Sequence, residues 1–308
     1  MSDLKNKNTM NKKHDETPLL RIRGLKYAYS NDKHALNGID LDIWNGEKLA
    51  ILGANGAGKS TFFLNLNGVL KADAGSIELD GVKMSQNKKD LNRLRSSIGI
   101  VFQDPDNQII ASTVRGEVSF GPMNQEIPVE EVRIRTEEAM KRMDIEQFAD
   151  RAPHYLSGGE KKRVAIADII AMHPEIFIFD EPTAALDPAS SQMLEGVLDR
   201  LSDEGRTIVV STHDVNFAYR WADRIIVFKD GKIIAQGTPD EIFRNREVLE
   251  AANLHEPTLM TVTDHLKSAG LIPESSDNPR SVEAFVRMTK ELTALSEKTT
   301  DTGVEQSA

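Results

Sequence analysis

The run Gly53-Ala54-Asn55-Gly56-Ala57-Gly58-Lys59-Ser60-Thr61 follows the apolar segment Leu49-Ala50-Ile51-Leu52 and precedes Phe62-Phe63-Leu64. It fits the phosphate-loop pattern G-x-x-x-x-G-K-[ST], and its flanks read as the strand before and the helix after that give the pattern meaning. Its glycines let the backbone turn tightly and aim N–H groups inward, so that a triphosphate meets unpaired donors at the positive end of a helix. Lys59 is placed to reach the β and γ phosphates, Ser60 to set its hydroxyl on Mg²⁺, and Thr61 to add a phosphate contact. Nucleotide binding is the first expectation.

Outward from this loop the chain alternates strands and helices. Leu20 to Arg23, Leu36 to Trp44 and Lys48 to Leu52 look like strands, separated by Asn31-Asp32 and Asn45-Gly46 turns. Gly75 to Leu79 and Ile98 to Phe102 are two further strands, the second closing on Gln103. Residues 104–155 then turn helical and polar, with apolar positions Val129, Val132, Ala139, Met140 and Met143 among charges, which suggests an inserted helical subdomain. Ser157-Gly158-Gly159-Glu160 opens the next helix, where Ser can cap and the glycines leave N–H groups accessible.

Ile176-Phe177-Ile178-Phe179 and Thr207-Ile208-Val209-Val210-Ser211 are apolar without alternation, as strands buried on both faces would be. A helix from Met193 to Leu201 lies between them, and a hairpin around Asp230-Gly231 follows. The expected fold class is α/β: a phosphate-loop core with a mainly parallel sheet, an antiparallel β subdomain, an inserted helical subdomain and a small helical C-terminal extension. The expected divisions are a disordered leader (1–17), the main domain (18–245, its helical part about 104–172), an extension (246–297) and a disordered tail (298–308).

In open α/β sheets, ligand chemistry gathers at the carboxyl ends of strands. The phosphate loop, Gln103, Asp180, Glu181 and His213 all follow such strands and are expected in one crevice. Asp180 suits the Mg²⁺ hydration shell, and Glu181 can take a proton from a water attacking the γ-phosphate; a structural salt bridge competes for either acid. Gln103 can bind Mg²⁺ or orient that water, or do neither. His213 can contact the γ-phosphate or be a satisfied buried imidazole, and it has no i, i+4 His partner to suggest a metal site. Tyr29, in the loop after the first strand, is the aromatic chosen to stack on a purine, with packing as the other reading.

Composition limits the rest. The chain has 308 residues, 39% hydrophobic, enough for a full core, and a net charge of −10, which argues against a general nucleic-acid binder. With no Cys, disulfides and thiol chemistry are excluded. Met1 to Thr17 has no apolar core for a signal or transit segment, and nowhere do about eighteen apolar residues run together as a membrane span requires.

Together these residues resemble the ATP-binding cassette family over about residues 19–245. The decisive element is Leu156-Ser157-Gly158-Gly159-Glu160, which looks like that family's signature and which ordinary phosphate-loop kinases lack. Phosphate loop, Gln103, signature, Asp180-Glu181, Ala185-Leu186-Asp187 and His213 occur in the family's order. The family usually has Gln where Glu160 stands; the similar length and polarity imply that function survives. The resemblance implies ATP and Mg²⁺ as ligands, and a head-to-tail dimer in which Ser157 to Glu160 of one subunit complete the site built by Tyr29, Gly53 to Thr61, Gln103, Asp180, Glu181 and His213 of the other. The Gly158-Gly159 helix start is expected to be an anion receptor lacking an anion of its own, and Asp187 to sit at the dimer seam.

Finer matches, Val101 to Gln108, Phe120-Gly121-Pro122, Lys161 to Ala167 and Ser211 to Val215, are similar to the energy-coupling-factor ATPases, above all the cobalt importer type. That resemblance implies Co²⁺ or Ni²⁺ uptake, or a vitamin in sister systems, through a transmembrane energy-coupling protein and a substrate-binding membrane component. The subunit itself is then peripheral, on the cytoplasmic face of the cell membrane, with a docking groove in Gln103 to Met123 and an extension that adds to the dimer contact. A soluble cassette scaffold, as in iron–sulfur assembly, is the rival; a single cassette without Cys or a coiled-coil insertion weighs against it.

Overall fold

The computed structural model describes residues 17–30, 33–184 and 186–301. The leader expected over 1–17 lies outside them except for Thr17, as do the Asn31-Asp32 turn, Ala185 and the tail beyond 301. The strands are β1 (Leu20–Ser30), β2 (Lys33–Ile43), β3 (Lys48–Leu52), β4 (Ala74–Leu79) and β5 (Val82–Lys83), then β6 (Ile98–Val101), β7 (Ile176–Asp180), β8 (Thr207–Thr212), β9 (Arg224–Lys229) and β10 (Lys232–Gly237). They sort into two sheets. One is antiparallel, in the order β2-β1-β4-β5; the other runs β10-β9-β3-β8-β7-β6 and is parallel except for the β9–β10 hairpin.

The helices are α1 (Lys59–Leu66), α2 (Lys88–Ser97), α3 (Val114–Met123), α4 (Val129–Arg142), α5 (Gly158–Ala171) and α6 (Pro188–Asp203). After them come α7 (Val215–Trp221), α8 (Pro239–Phe243), α9 (Arg246–Ala252), α10 (Thr258–Ser268) and α11 (Val282–Asp301). The α/β class with a separate antiparallel sheet is as expected.

The apolar runs of the central strands are explained by two cores, one on each face. Successive side chains of a strand point to opposite faces. Leu49 and Ile51 of β3 therefore join Ile176 and Ile178 of β7 in a core shared with α1 and the antiparallel sheet. Ala50 and Leu52 join Phe177 and Phe179 in the other, against α5, α6 and α7. Burying each such large side chain is worth about 1.5–3 kcal/mol, so the strands that carry the site residues on their carboxyl ends are firmly held.

Four differences from the expected elements have local causes. β1 does not stop at Arg23 but pairs with β2 to Ser30 through bulges, with Gly24 at φ 57°, so Tyr27 and Tyr29 lie on a strand rather than in a loop. α2 is an added helix, whose start is marked by Asn87, its side chain accepting from Asp90 N at 2.8 Å. α6 begins at Pro188, not Met193, because Asp187 caps it and proline suits the first turn. α11 continues to Asp301, past the expected end of the extension.

The extension is fastened beside α7. Thr258 N donates to Asn216 Oδ1 at 2.8 Å, and Arg280 pairs with Asp240 at 2.9 Å while its guanidinium lies 5.7 Å from the Tyr219 ring centre.

Candidate functional site

The loop between β3 and α1 is shaped by close backbone approach. A Cβ at Gly53 would lie 2.5 Å from the Phe228 carbonyl oxygen, and one at Gly58, where φ is 106°, would lie 2.6 Å from that of Ala35. Only glycine fits either place. α1 begins with no side-chain cap and no acid in its first turn. By contrast α2, α3, α5, α6, α7, α8 and α9 are all capped by a side chain. An uncapped N-terminus after a glycine loop leaves N–H donors and positive potential for an anion.

Three strand ends, those of β3, β7 and β8, meet here. The Lys59 ammonium donates to Gly53 O at 2.6 Å and lies 3.4 Å from Glu181 Oε1. The Ser60 hydroxyl donates to Asp180 Oδ2, and Ser211 donates to Asp180 Oδ1. Glu181 has a positive φ of 46°, a conformation that costs free energy in a non-glycine residue and turns its side chain away from the alternation of β7. Its N–H is shared between Ser211 O at 3.1 Å and Ser211 Oγ at 3.0 Å, which holds it there. Glu181 Oε2 lies 2.8 Å from His213 Nδ1. The side chains of Lys59 and Glu181 are each 6% exposed, whereas that of His213 is 75% exposed, so a buried pair carries one solvent-facing imidazole.

The Tyr29 hydroxyl is 3.1 Å from Thr61 Oγ1, and its exposed ring meets Tyr27 edge-on at 5.0 Å between centres. Gln103 sits two residues past Val101, which pairs with Phe179 just before Asp180, and its side chain is exposed. Lys59, Ser60, Thr61, Tyr29, Asp180, Glu181 and His213 are thus joined by direct contacts, and Gln103 stands at the adjacent strand end.

The signature lies elsewhere on the chain. Leu156 is buried in the core, while Ser157, the N-cap of α5, is exposed. Contrary to expectation, this helix tip has an anion of its own. Glu160 Oε2 accepts from Ser157 N at 2.7 Å and from Ser157 Oγ at 2.8 Å, completing a capping box. These bonds hold the Glu160 carboxyl below its ordinary range. Asp187 also has local work. It accepts from Ala189 N and Ser190 N at 3.0 Å each and from the Ser190 hydroxyl, which lowers its pKa and caps α6. Among the described residues no hydrogen bond or ion pair joins residues 156–160 to the phosphate loop.

Three contributors lie inside matched stretches, but their roles do not follow from the motifs. Ser211 was legible only as the polar end of an apolar strand. Lys162, on α5, donates to Phe102 O at 2.7 Å and Gln103 O at 2.9 Å. Burial lowers its pKa to about 8, against the opposing pull of Asp180 and Asp104. Gln108 donates to Ala165 O at 3.0 Å and accepts from Phe102 N at 3.1 Å. Nearby, burial beside Glu117 raises the Asp168 carboxyl to about 7.

A family model described as "ABC transporter" matches residues 36–184. The "Energy-coupling factor transporter ATP-binding protein EcfA2" of Methanospirillum hungatei is 46% identical over 271 residues, covering 88% of this chain and 68% of that protein. The solved structure of cbiO1 from Clostridium perfringens, described as part of the ABC transporter complex cbiONQ, is 43% identical with a TM-score of 0.68, covering 82% of this chain and 100% of that one. The ATP-binding cassette MJ0796, solved as a dimer in a post-hydrolysis state bound to ADP and Pi, is 32% identical with a TM-score of 0.65 over 71% of this chain and 98% of its own. With an uncapped phosphate loop facing a buried Lys–Glu pair, and with relatives of this likeness, the chain belongs to the ATP-binding proteins of energy-coupling factor transporters, ABC ATPases in which ATP hydrolysis is coupled to transport.

Proposed function

We propose that two copies of this chain close head to tail over two MgATP molecules and drive import of Co²⁺ or Ni²⁺ through a membrane partner. The observation that carries the catalytic reading is Glu181, buried at the end of β7 with Lys59 on one oxygen and His213 on the other.

The Lys59 ammonium answers the charge of the β and γ phosphates, and the head of α1 supplies N–H donors to their oxygens. The Glu181 carboxylate accepts a proton from the water that attacks the γ-phosphorus, as the bond to the ADP oxygen breaks. His213, tethered to that carboxylate and open to solvent, is free to donate toward the γ-phosphate. Tyr29 presents its ring to the purine. In trans, Ser157 and the N–H groups of Gly158 and Gly159 receive the γ-phosphate once Glu160 yields its bond to Ser157, and Asp187 lies at the seam.

The donors beside the phosphate loop suit Mg²⁺: a hydroxyl and a carboxylate already in mutual contact, an amide at the next strand end, all oxygen, with Asp180 buried. Among the described residues no group of three His, Cys, Asp or Glu side chains forms a metal site by itself, which accords with an ion held largely by phosphates. Ser60, Asp180 and Gln103 would hold it. Bound there, Mg²⁺ would offset the negative charge of the β and γ phosphates as it develops.

The cassette is assigned to residues 18–245, with its helical part at 104–172 and an extension at 246–297 that adds to the dimer contact. Among the described residues no helix is long and apolar enough to cross a membrane. Attachment to the cytoplasmic face therefore falls to a docking surface. Ile110, before α3, and Phe120 and Met123, three apart on it, are exposed apolar side chains placed to meet a helix of the transmembrane partner. The cargo rests on likeness to the cobalt-importer type. The test is uptake of labelled Co²⁺ and Ni²⁺ by cells carrying the wild-type chain or Glu181→Gln: metal uptake only with the wild type supports the cargo, and vitamin uptake in its place overturns it.

A further inference from the structure

A lysine buried in the middle of a helix calls for an explanation, because taking an ammonium out of water is costly unless its donors are met. Lys162 is 3% exposed, one turn beyond the signature glycines on α5. Its two short hydrogen bonds go to the backbone carbonyls of Phe102 and Gln103, and the Asp180 and Asp104 carboxylates are near enough to favour its charge. Gln108 crosses the same gap in reverse, from Phe102 N to Ala165 O. The segment has left the sheet by this point, since the last β6 residue paired with β7 is Val101. What fixes the peptide from which the exposed Gln103 side chain projects is therefore α5 rather than a neighbouring strand.

We propose that Lys162 is the positioning residue for Gln103: it fixes the backbone from which this side chain reaches Mg²⁺. It does so from the helix whose tip serves the second copy's nucleotide, so a metal ligand of one site and the phosphate receptor of the other move as one piece. The inference rests on the composite site proposed above. A side chain on an anchored peptide loses less freedom on binding, which is how supporting contacts strengthen a metal site.

The test uses the full chain with ATP, and Mn²⁺ as a spectroscopic substitute for Mg²⁺, read by electron paramagnetic resonance beside kcat and KM. Lys162→Met keeps the length and removes the donors. It is expected to weaken Mn²⁺ binding by ATP-loaded protein about tenfold and to lower kcat to match, with KM for ATP within about twofold. Lys162→Arg restores most of the affinity, and Lys162→Gln, a milder change that retains an amide NH₂ donor but not the charge, falls between. In a Gln103→Ala background, Lys162→Met adds less than about a twofold effect, since residues acting through one contact are not additive. Normal Mn²⁺ affinity in both Lys162→Met and Lys162→Gln, or losses that multiply with Gln103→Ala, overturn the positioning role. If Gln103→Ala alone leaves Mn²⁺ affinity unchanged, the metal assignment of Gln103 falls, and this inference with it.

Discussion

His213 Nδ1 lies 2.8 Å from Glu181 Oε2, which ties the exit of β8 to the exit of β7 across the mouth of the phosphate loop. One partner is buried and the other is mostly exposed, so the carboxylate is fixed while the imidazole can turn toward a bound phosphate. Glu181→Gln keeps the shape of this pair and removes the base. It should bind ATP normally and release phosphate at least about a hundredfold more slowly, the usual scale of general-base catalysis. Phosphate release near the wild-type rate would take Glu181 out of that role.

Lys59 holds the carbonyl of Gly53 and faces Glu181. Lys59→Ala removes the ammonium that holds the loop's Gly53 carbonyl and leaves Glu181 buried without it. A charged hydrogen bond of this kind is worth about 1.5–3 kcal/mol, so ATP affinity should fall roughly ten- to a hundredfold in a fluorescent-analogue titration. Unchanged binding and turnover would contradict the phosphate-loop assignment.

Glu160 places a carboxylate on Ser157, where the second copy's γ-phosphate is proposed to bind. Glu160→Gln keeps an acceptor for Ser157 and removes the charge. The ATP concentration that half-saturates dimer closure should drop about two- to fivefold at low salt, with the gain shrinking at high salt. A variant that closes no more readily than the wild type would show that the carboxylate does not compete.

Asp168 keeps its proton to about pH 7 in the folded chain, against an ordinary value of 3.8. The folded state therefore binds more protons than the unfolded state between those limits. This group's contribution to stability falls as pH rises from about 4 to about 7 and stays unfavourable above. Asp168→Asn should raise Tm by roughly 3–8 °C at pH 8 and by nothing near pH 4. An equal shift at both pH values would point to packing rather than charge.

Much of this architecture is legible in the sequence because its strongest signals are local. The β3–loop–α1 unit is written in consecutive residues, and the unalternating runs of β7 and β8 announce burial on both faces. β1 reads as ending at Arg23 because its pairing with β2 passes through bulges that disrupt period-two alternation. Residues whose value lies in a distant contact left weaker marks. Lys162 looks like one of three adjacent basic residues until α5 is docked on the exit of β6, and Glu160 looks like a conservative exchange until its carboxylate is seen on Ser157. Ser211 is silent in sequence because its two roles, toward Asp180 and toward Glu181 N, exist only when β7 and β8 are adjacent.

The account depends on a second copy completing each site, and the direct measurement is the mass of Glu181→Gln in solution with MgATP, by sedimentation or light scattering, at concentrations where the chain alone is monomeric. The predicted result is an ATP-dependent dimer that Ser157→Arg abolishes while each chain still binds ATP. A Glu181→Gln protein that is saturated with MgATP and remains monomeric, or a dimer indifferent to Ser157→Arg, would contradict it.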